Sequence, residues 1–230
     1  PWFVAASDIF EDTLTVGADS GNPDNTVFVK VGNRGYRKYD GPVTIDRTTR
    51  ISIYSQSPSG EKSPEISAVF HKMKDDMDIY TDNVYNPQYN ARGPRGLIDG
   101  LRGSVNWKTG GWQGYQDTDF TAVVDLRKER SVSLLGSGYC QDVRSWIWMP
   151  KYVEYAVSDD GQNFTVVGRV DNTVDEQDYT IQTKDFILRL DRPVKARYVR
   201  VFAKNFGTIP DWHLGHGDEG FIFIDEIWVE

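Results

Sequence analysis

The stretch FIFIDEI, residues 221–227, decides the fold class of this chain. Its first four residues are apolar on both faces, which is the pattern of a strand that is covered on both sides. Residues 26–31, 50–54 and 153–157 instead alternate, with apolar side chains at every second position. Gly, Pro, Asn and Asp separate these runs at short intervals, and no long segment has a helical period. The sequence therefore predicts an all-β chain with a few single helical turns at most.

The composition excludes several classes of function. The 230 residues carry 26 basic and 34 acidic side chains, a net charge of −8, which argues against binding to nucleic acid or to an anionic lipid surface. No apolar run approaches the ~20 residues of a membrane span, so we expect no membrane insertion. The single cysteine, Cys140, rules out an intrachain disulfide. Because the chain starts at Pro1 rather than Met, we expect it to be a processed or excised portion of a longer protein.

A charged stretch predicts where the chain divides. Residues 72–78 (KMKDDMD) interrupt the strand rhythm. The part before them has the size of a small sandwich, and the part after them has longer loops and most of the tryptophans. We predict two β-domains, residues 1–74 and 75–230, joined by a short linker.

The first region resembles a known Ig-like sandwich over about residues 9–73. The motifs that carry the resemblance are the YDGP loop at 39–42, the alternating strand at 50–54, the turn at 58–63 and the closing strand at 66–72. They are similar to the small sandwich that follows the catalytic domain in bacterial chitobiase and β-N-acetylhexosaminidase-type enzymes. The resemblance implies a spacer, and we assign no site to it.

The second region resembles the discoidin fold, the jelly-roll of coagulation factor V/VIII type C domains and of many bacterial carbohydrate-binding modules. The motifs are LIDG at 97–100, the hairpin VSDDGQNF at 157–164, ARYVRV at 196–201 and IDEI at 224–227, in the expected order over about residues 80–230. The GWQGY and WHLGHG elements at 111–115 and 212–217 look most like the version found in bacterial hexosaminidases. The animal domains tie their ends with a disulfide, which this chain cannot form, and that favours the sugar-binding branch.

The resemblance also implies one structural calcium ion. In discoidin-like modules the Asp of the Asp-Gly loop and a Glu of the last strand commonly hold calcium, which prefers six to eight oxygen ligands. By this resemblance Asp99 and Glu226 supply side-chain oxygens, while Leu101, Ser104 or Asp225 add carbonyl oxygens. Glu226 lies in an otherwise apolar strand, where an ionised carboxylate needs compensation. The alternative is that Glu226 pairs with an arginine and Asp99 only caps a turn.

Loop aromatics indicate where a sugar would bind. Saccharides place the apolar face of the ring on an aromatic plane, while polar side chains hydrogen-bond the hydroxyls. Trp148 and Trp228 lie in strand patterns and are expected in the core, whereas Trp112 and Trp212 lie in glycine-flanked loops. The predicted carbohydrate-binding residues are Trp112, Arg144, Trp146, Asn205, Trp212, His213 and His216.

The sequence does not favour catalysis or zinc binding. Asp225 and Glu226 are strand neighbours, so their side chains leave on opposite faces and cannot flank one glycosidic bond. Cys140 has no histidine near it in sequence and is expected to be a buried, inert thiol. The His213-x-x-His216 pair lies in a glycine-rich loop that does not pre-organise zinc ligands, so we expect no zinc.

The leading hypothesis is a non-catalytic accessory region of a bacterial glycan-degrading enzyme, in an extracytoplasmic location. Its partners would be a glycan ending in galactose, N-acetylglucosamine or N-acetylgalactosamine and the catalytic domain of the same parent chain. A second hypothesis is that both domains only brace that catalytic domain. A third is adhesion to a protein or cell surface through the same loops.

Overall fold

The computed structural model describes residues 1–73 and 76–230, and the chain divides into two compact units, Pro1–Lys74 and Asp75–Glu230. The predicted domain boundary falls between Lys74 and Asp75, which lie outside the described residues. Strands make up nearly all the regular structure, which confirms the all-β prediction. None of the helical segments within residues 1–73 and 76–230 has the length and hydrophobicity of a membrane-spanning helix.

The first unit contains two sheets that enclose an apolar core. One sheet has the strand order β1-β3-β6 and the other β2-β8-β7-β4-β5. The apolar residues that alternate along β7 and β4 face this core, as their period of two predicts. The strands are β1 (Trp2–Val4), β2 (Ile9–Phe10), β3 (Leu14–Asp19), β4 (Thr26–Val31), β5 (Arg37–Lys38), β6 (Val43–Ile45), β7 (Thr49–Gln56) and β8 (Ile66–Lys72).

The second unit has seven strands, in the order β10-β15-β11-β14-β12-β13, with β9 paired to β11. Short 3₁₀ turns lie at Pro94–Leu97, Trp107–Thr109 and Val143–Ser145. The strands are β9 (Asp78–Thr81), β10 (Gln113–Gln116), β11 (Phe120–Gln141), β12 (Tyr152–Ser158), β13 (Thr165–Asp171), β14 (Gln182–Ala203) and β15 (Phe221–Val229).

The two longest strands, β11 and β14, are antiparallel partners with an irregular middle. Their register shifts between Asp125 and Arg130 and again between Val132 and Leu134. Residues 120–125 pair with β9 and with the end of β14, whereas residues 134–141 pair with β15 and with the start of β14. Each long strand therefore contributes one half to each layer of the jelly-roll. A register shift of this kind is what a β-bulge produces.

The last strand, β15, lies in the interior, as its sequence predicts. Residues 222–227 are all buried, and the isoleucines among them belong to the main core of the unit. The SDDGQN segment forms the expected hairpin between β12 and β13, with Gly161 at φ 73. Asp160 accepts hydrogen bonds from the backbone amides of Asn163 and Gln162, which lower the pKa of this carboxyl.

Candidate functional site

One end of the second unit gathers four loops, at residues 117–119, 142–151, 172–181 and 204–220. These loops follow or precede the strand ends at Gln116, Gln141, Asp171 and Ala203. The Asn205 side-chain amide donates to the Thr118 carbonyl of the 117–119 loop at 2.8 Å and to the Gly220 carbonyl at the end of its own loop at 3.2 Å, which ties these two loops together. Loops on a rigid jelly-roll are where binding residues are usually held.

The 172–181 loop is fixed by side chains from the neighbouring segment. The buried Gln141 amide, the Trp148 indole N–H and the Arg144 guanidinium donate to carbonyls within residues 175–179, at 2.8 to 3.1 Å. Three donors on one short loop leave its backbone little freedom. The aromatic side chain it carries, Tyr179, is therefore presented in a fixed position.

Aromatic rings from two loops meet around a buried histidine. Trp212 and Tyr179 are each 37% exposed, and their ring centroids lie 6.4 Å apart. The His213 ring lies beneath them, 5.7 Å from Trp212 and nearly parallel to Tyr179 at 6.3 Å. Trp148, fully buried, supports His213 from below at 5.4 Å.

Two further side chains extend this surface. The Arg144 guanidinium lies over the Tyr179 ring at 5.1 Å. Trp146 is half-buried in a left-handed conformation (φ 66) and packs against Gly215, where a Cβ would approach the indole to 2.5 Å. Leu214 is fully exposed at the tip of the same loop. We call this set the aromatic rim: Arg144, Trp146, Tyr179, Trp212, His213 and Leu214.

A groove adjoins the aromatic rim. It has a volume of about 330 Å³ and is lined by Trp148, Phe206 and Lys151 together with Asn172 and Glu176. The Trp148 and Phe206 rings stack at 4.7 Å with an interplanar angle of 12°. Stacked rings beside amide, ammonium and carboxylate groups offer both apolar contact and hydrogen bonds.

The structure brings together four of the predicted binding residues, Arg144, Trp146, Trp212 and His213, on the aromatic rim. His213 contributes differently from the expectation, because it is buried and its Nδ1 accepts a hydrogen bond from the Gly215 amide at 2.9 Å. It therefore supports the loop from below. His216 is exposed in the same loop, with Nε2 2.8 Å from the Asp211 carboxylate.

The prediction that Trp112 binds carbohydrate is wrong, because this side chain is buried in the core. It is 1% exposed, its indole N–H donates to the Ser104 carbonyl at 2.9 Å, and it packs with Cys140 and Phe223. The neighbouring glycines in the sequence suggested an open loop, but a more distant glycine, Gly103, lies against the ring. A Cβ at Gly103 would lie 2.2 Å from the indole, so this glycine makes room for the buried ring.

Asn205 is also a correction, because its side chain is buried and fully used within the protein. Its amide nitrogen donates to the carbonyls of Thr118 and Gly220, and its oxygen accepts from the Gly207 amide at 2.8 Å. A side chain with these partners positions the loops and has no free group for a ligand.

The sequence reasoning missed Tyr179 and Leu214. Tyr179 ends a polar DEQD stretch, and only the hydrogen bonds from Arg144 and its neighbours reveal its position. An available signal for Leu214 was a lone apolar residue between His213 and Gly215 in a loop. An apolar side chain that no periodic pattern places in the core is a candidate for contact with a ligand.

The predicted calcium ligands do not meet around one open position. The Asp99 carboxylate accepts two hydrogen bonds from the Arg92 guanidinium, from Nε at 2.6 Å and from Nη2 at 3.2 Å. The Leu101 carbonyl accepts from the same Nη2 at 3.4 Å, and the Leu101 amide donates to Asp99 at 2.8 Å. Part of the alternative is thus realised, although Asp99 rather than Glu226 has the arginine partner.

The other expected ligands are engaged elsewhere, except for one oxygen of Glu226. The Asp225 carboxylate accepts from the Arg102 guanidinium and the Gly103 amide, at 2.8 Å and 2.9 Å. The Ser104 carbonyl accepts from the Trp112 indole N–H at 2.9 Å. Glu226 accepts from the Gly100 amide through Oε1, while its Oε2 has no hydrogen-bond partner within residues 1–73 and 76–230. Burial, and then the charge of Asp99, raise the pKa of Glu226 to about 8, so at neutral pH it is mainly a neutral acid. As arranged around Arg92 and Arg102, these donors do not fit a calcium ion.

A family comparison assigns the second unit. Residues 79–217 match the family model described as the F5/8 type C domain. The chain therefore belongs to the F5/8 type C, or discoidin, family, which confirms the predicted discoidin jelly-roll. No protein of curated function matches the chain.

Solved structures of similar fold include carbohydrate-binding modules (CBMs) from Clostridium perfringens. CpGH89CBM32-6 is 17% identical, over 69% of this chain and 95% of its own, with a TM-score of 0.39. The family 32 CBM of NanJ, solved with galactose, is 20% identical over 67% and 93%, with a TM-score of 0.41. A Ruminococcus gnavus GH29 fucosidase, solved with fucose, is 12% identical over 68% of this chain and 25% of its own, with a TM-score of 0.44. The Ig-like resemblance of the first unit and the chitobiase-type parent stay predictions.

Proposed function

We propose that the second unit binds the terminal sugar of a glycan at the aromatic rim, as the non-catalytic accessory region of a glycan-degrading enzyme. The observation that carries the proposal is the exposed pair of aromatic rings, Trp212 and Tyr179. Hydrogen bonds and ring contacts within the protein hold the loops that present these two rings. Membership of the F5/8 type C family supports it, because the family includes many bacterial carbohydrate-binding modules.

The rim offers both kinds of contact that a sugar needs. The exposed faces of Trp212 and Tyr179, with Leu214 beside them, provide apolar surface for the C–H face of a pyranose. Arg144 is the best placed hydrogen-bond donor, because within the part of the chain that the structure describes its guanidinium makes one hydrogen bond, from Nη1 to the Tyr179 carbonyl. A guanidinium carries five N–H donors, so others remain for sugar hydroxyls.

The adjoining groove supports binding of more than one sugar residue. Asn172, Lys151 and Glu176 line it with polar groups, and Phe206 and Trp148 supply its apolar wall. A terminal galactose, N-acetylglucosamine or N-acetylgalactosamine would occupy the rim, and the next residue would lie towards the groove. Because the contact area is small, we expect a Kd of about 0.1–1 mM for a monosaccharide.

In the parent protein this weak binding would act through proximity. A module that holds the polymer raises the local concentration of substrate at a linked catalytic domain. We propose an extracytoplasmic location, a hexosaminidase-like catalytic domain in the same parent chain, and a spacer role for the first unit. Calcium is left out of this proposal because its expected donors are bonded to arginines.

The experiment is a titration of the full chain against a panel of mono- and disaccharides that end in these three sugars. Trp212→Ala, Tyr179→Ala and Arg144→Ala are each expected to weaken binding at least tenfold, without a large loss of stability. Tyr80→Ala is the matched control, because Tyr80 is a 63% exposed tyrosine on β9 that does not belong to the aromatic rim.

Three results would overturn the proposal. Unchanged affinity in all three rim variants would place the site elsewhere. An absence of binding to every sugar would favour the bracing role, and capture of a deglycosylated surface protein through Trp212 would favour adhesion.

A further inference from the structure

The Asp99 turn is bound to a positive charge that the protein itself supplies. The Asp99 side chain is almost completely buried, and the Arg92 side chain that contacts it is about one-fifth exposed. Both carboxylate oxygens accept from this guanidinium, and the Leu101 carbonyl accepts from it as well. We propose that the Arg92 guanidinium takes the place of a metal ion at this turn, and that a calcium site is latent beneath it.

The donors around Arg92 are the kind that calcium prefers. Removal of the guanidinium would release Asp99 Oδ2 and the Leu101 carbonyl oxygen, and it would leave Asp99 Oδ1 with the Leu101 amide as its donor. Glu226 adds Oε2, which is buried without a hydrogen-bond partner among the described residues and belongs to a side chain bonded to the same turn through Gly100. Four oxygens, completed by water, reach the six or more ligands of a calcium ion.

The backbone is built to bring Arg92 to this position. Ala91, Arg92 and Gly93 have φ values of 38°, 69° and 101°, three left-handed residues in succession. For the two non-glycine residues this conformation is unfavourable and persists only when the surroundings impose it. Asn90 imposes it in part, since its side-chain oxygen accepts from the Arg92 amide and its carbonyl from the Gly93 amide.

A buried residue locks the same segment from the other side. The Gln113 amide donates to the Gly93 carbonyl at 2.8 Å. Gly96 packs so closely that a Cβ there would overlap the Ala91 carbonyl oxygen. These contacts hold the turn in the conformation that places the Arg92 guanidinium on Asp99.

The fixed cation has a functional consequence. A calcium-dependent turn loosens when the ion is removed, whereas an arginine that is part of the chain cannot dissociate or be chelated. The loop of residues 93–106, which is hydrogen-bonded to the last strand, should then keep its structure at any calcium concentration. This inference is independent of the sugar proposal, because none of its residues belongs to the aromatic rim.

The test uses thermal unfolding of the full chain, with and without calcium and with EDTA. Six of the seven tryptophans lie in the second unit, so tryptophan fluorescence follows this unit. The unchanged protein is expected to melt at the same temperature in calcium and in EDTA. Arg92→Ala is expected to melt about 10 °C lower in EDTA and to regain more than about 5 °C in excess calcium.

Two variants make the comparison specific. Arg92→Lys keeps a positive charge at Asp99 and is expected to show no calcium response. Arg197→Ala breaks another two-point pair, with Asp125 (3.0 Å and 2.9 Å), and is expected to lose stability without regaining it in calcium. If Arg92→Ala does not fold in EDTA, Arg92→Gln replaces it and the same calcium response is required.

Three results would overturn the inference. The first is a rise in the melting temperature of the unchanged protein with calcium, or a fall with EDTA. The second is an Arg92→Ala variant that loses stability and shows no response to calcium. The third is an equal calcium response in Arg197→Ala, which would show general ion binding.

Discussion

The buried Asp225 carboxylate should depend strongly on the arginine that contacts it. Its side chain is completely buried, whereas the Arg102 side chain that bonds it is 43% exposed. Burial raises the pKa of Asp225, and the hydrogen bond from Arg102 limits the rise. Arg102→Met would leave this carboxylate with the Gly103 amide as its remaining donor among the described contacts.

The burial of the two partners sets the expected magnitudes. Removing one partner of a buried pair costs about 3–5 kcal/mol, and the half-exposed arginine places Arg102→Met near the lower end, at about 3 kcal/mol. Asp225→Asn should cost less, about 1–2 kcal/mol, because Arg102 keeps its second partner, Asp185. The double variant should lose less than the sum of the two, by about 1–2 kcal/mol.

The pH dependence provides a second measure. In Arg102→Met the folded-state pKa of Asp225 is raised above its unfolded value, so the proton stabilises the folded form. The cost of the substitution should therefore be greatest above the folded-state pKa of Asp225 and should shrink as pH falls from that value towards the unfolded-state pKa.

Urea unfolding followed by tryptophan fluorescence measures these free energies. Lys195→Met is the control, because the Lys195–Glu129 pair is exposed on both sides and should contribute about 0.5 kcal/mol at most. Equal costs for Arg102→Met and Asp225→Asn, or strictly additive costs at pH 7, would refute the reasoning.

Four further outcomes can be measured on the same chain. Trp148→Ala should lower the unfolding free energy by about 3–5 kcal/mol and weaken sugar binding in titration, because this buried ring supports the rim. Asn205→Ala should cost about 2–3 kcal/mol in urea, since it leaves three backbone groups without their partner. Cys140 should resist a thiol reagent in the native protein and react only in denaturant, because burial raises its pKa to about 12. The hydrogen bond from Arg197 lowers the pKa of Asp125, so the stability that this pair contributes is lost as pH falls through the lowered pKa. The Arg197→Ala variant should therefore lose less stability than the unchanged protein between pH 6 and pH 3.

The fold was predictable because its signals are local. The apolar residues 221–224 and the alternating residues 153–157 carry the strand pattern, and both segments are strands in the structure. The turn at residues 158–163 has the residue types that such turns require. A period of two and a Gly-containing turn depend on neighbouring residues, so the sequence contains the needed information.

The site was only partly predictable because burial is decided by distant residues. Trp112 and Trp212 both lie beside glycines, but Gly103 opens a space for the first ring, whereas loop anchoring leaves the second exposed. Asn205 looks like a free amide in sequence, and only the fold brings its partners Thr118 and Gly220 within reach. Contacts between residues so far apart along the chain have no local pattern.

The position of β9 determines how the second unit would respond to a pulling force. In the antiparallel ladder between β9 and β11, Asp78 at the start of β9 lies opposite Asp125, near the irregular middle of β11. The loops of the rim are attached to the other ends of the strands. If the rim binds a glycan, a pulling force applied between that glycan and the N-terminal end of the second unit would act parallel to the strands. The ladder between β9 and β11 would then be sheared, with its hydrogen bonds strained together instead of being opened one by one. A ladder loaded in shear resists mechanical unfolding, which is the property that a glycan-bound module needs when flow or the motion of a linked enzyme pulls on it.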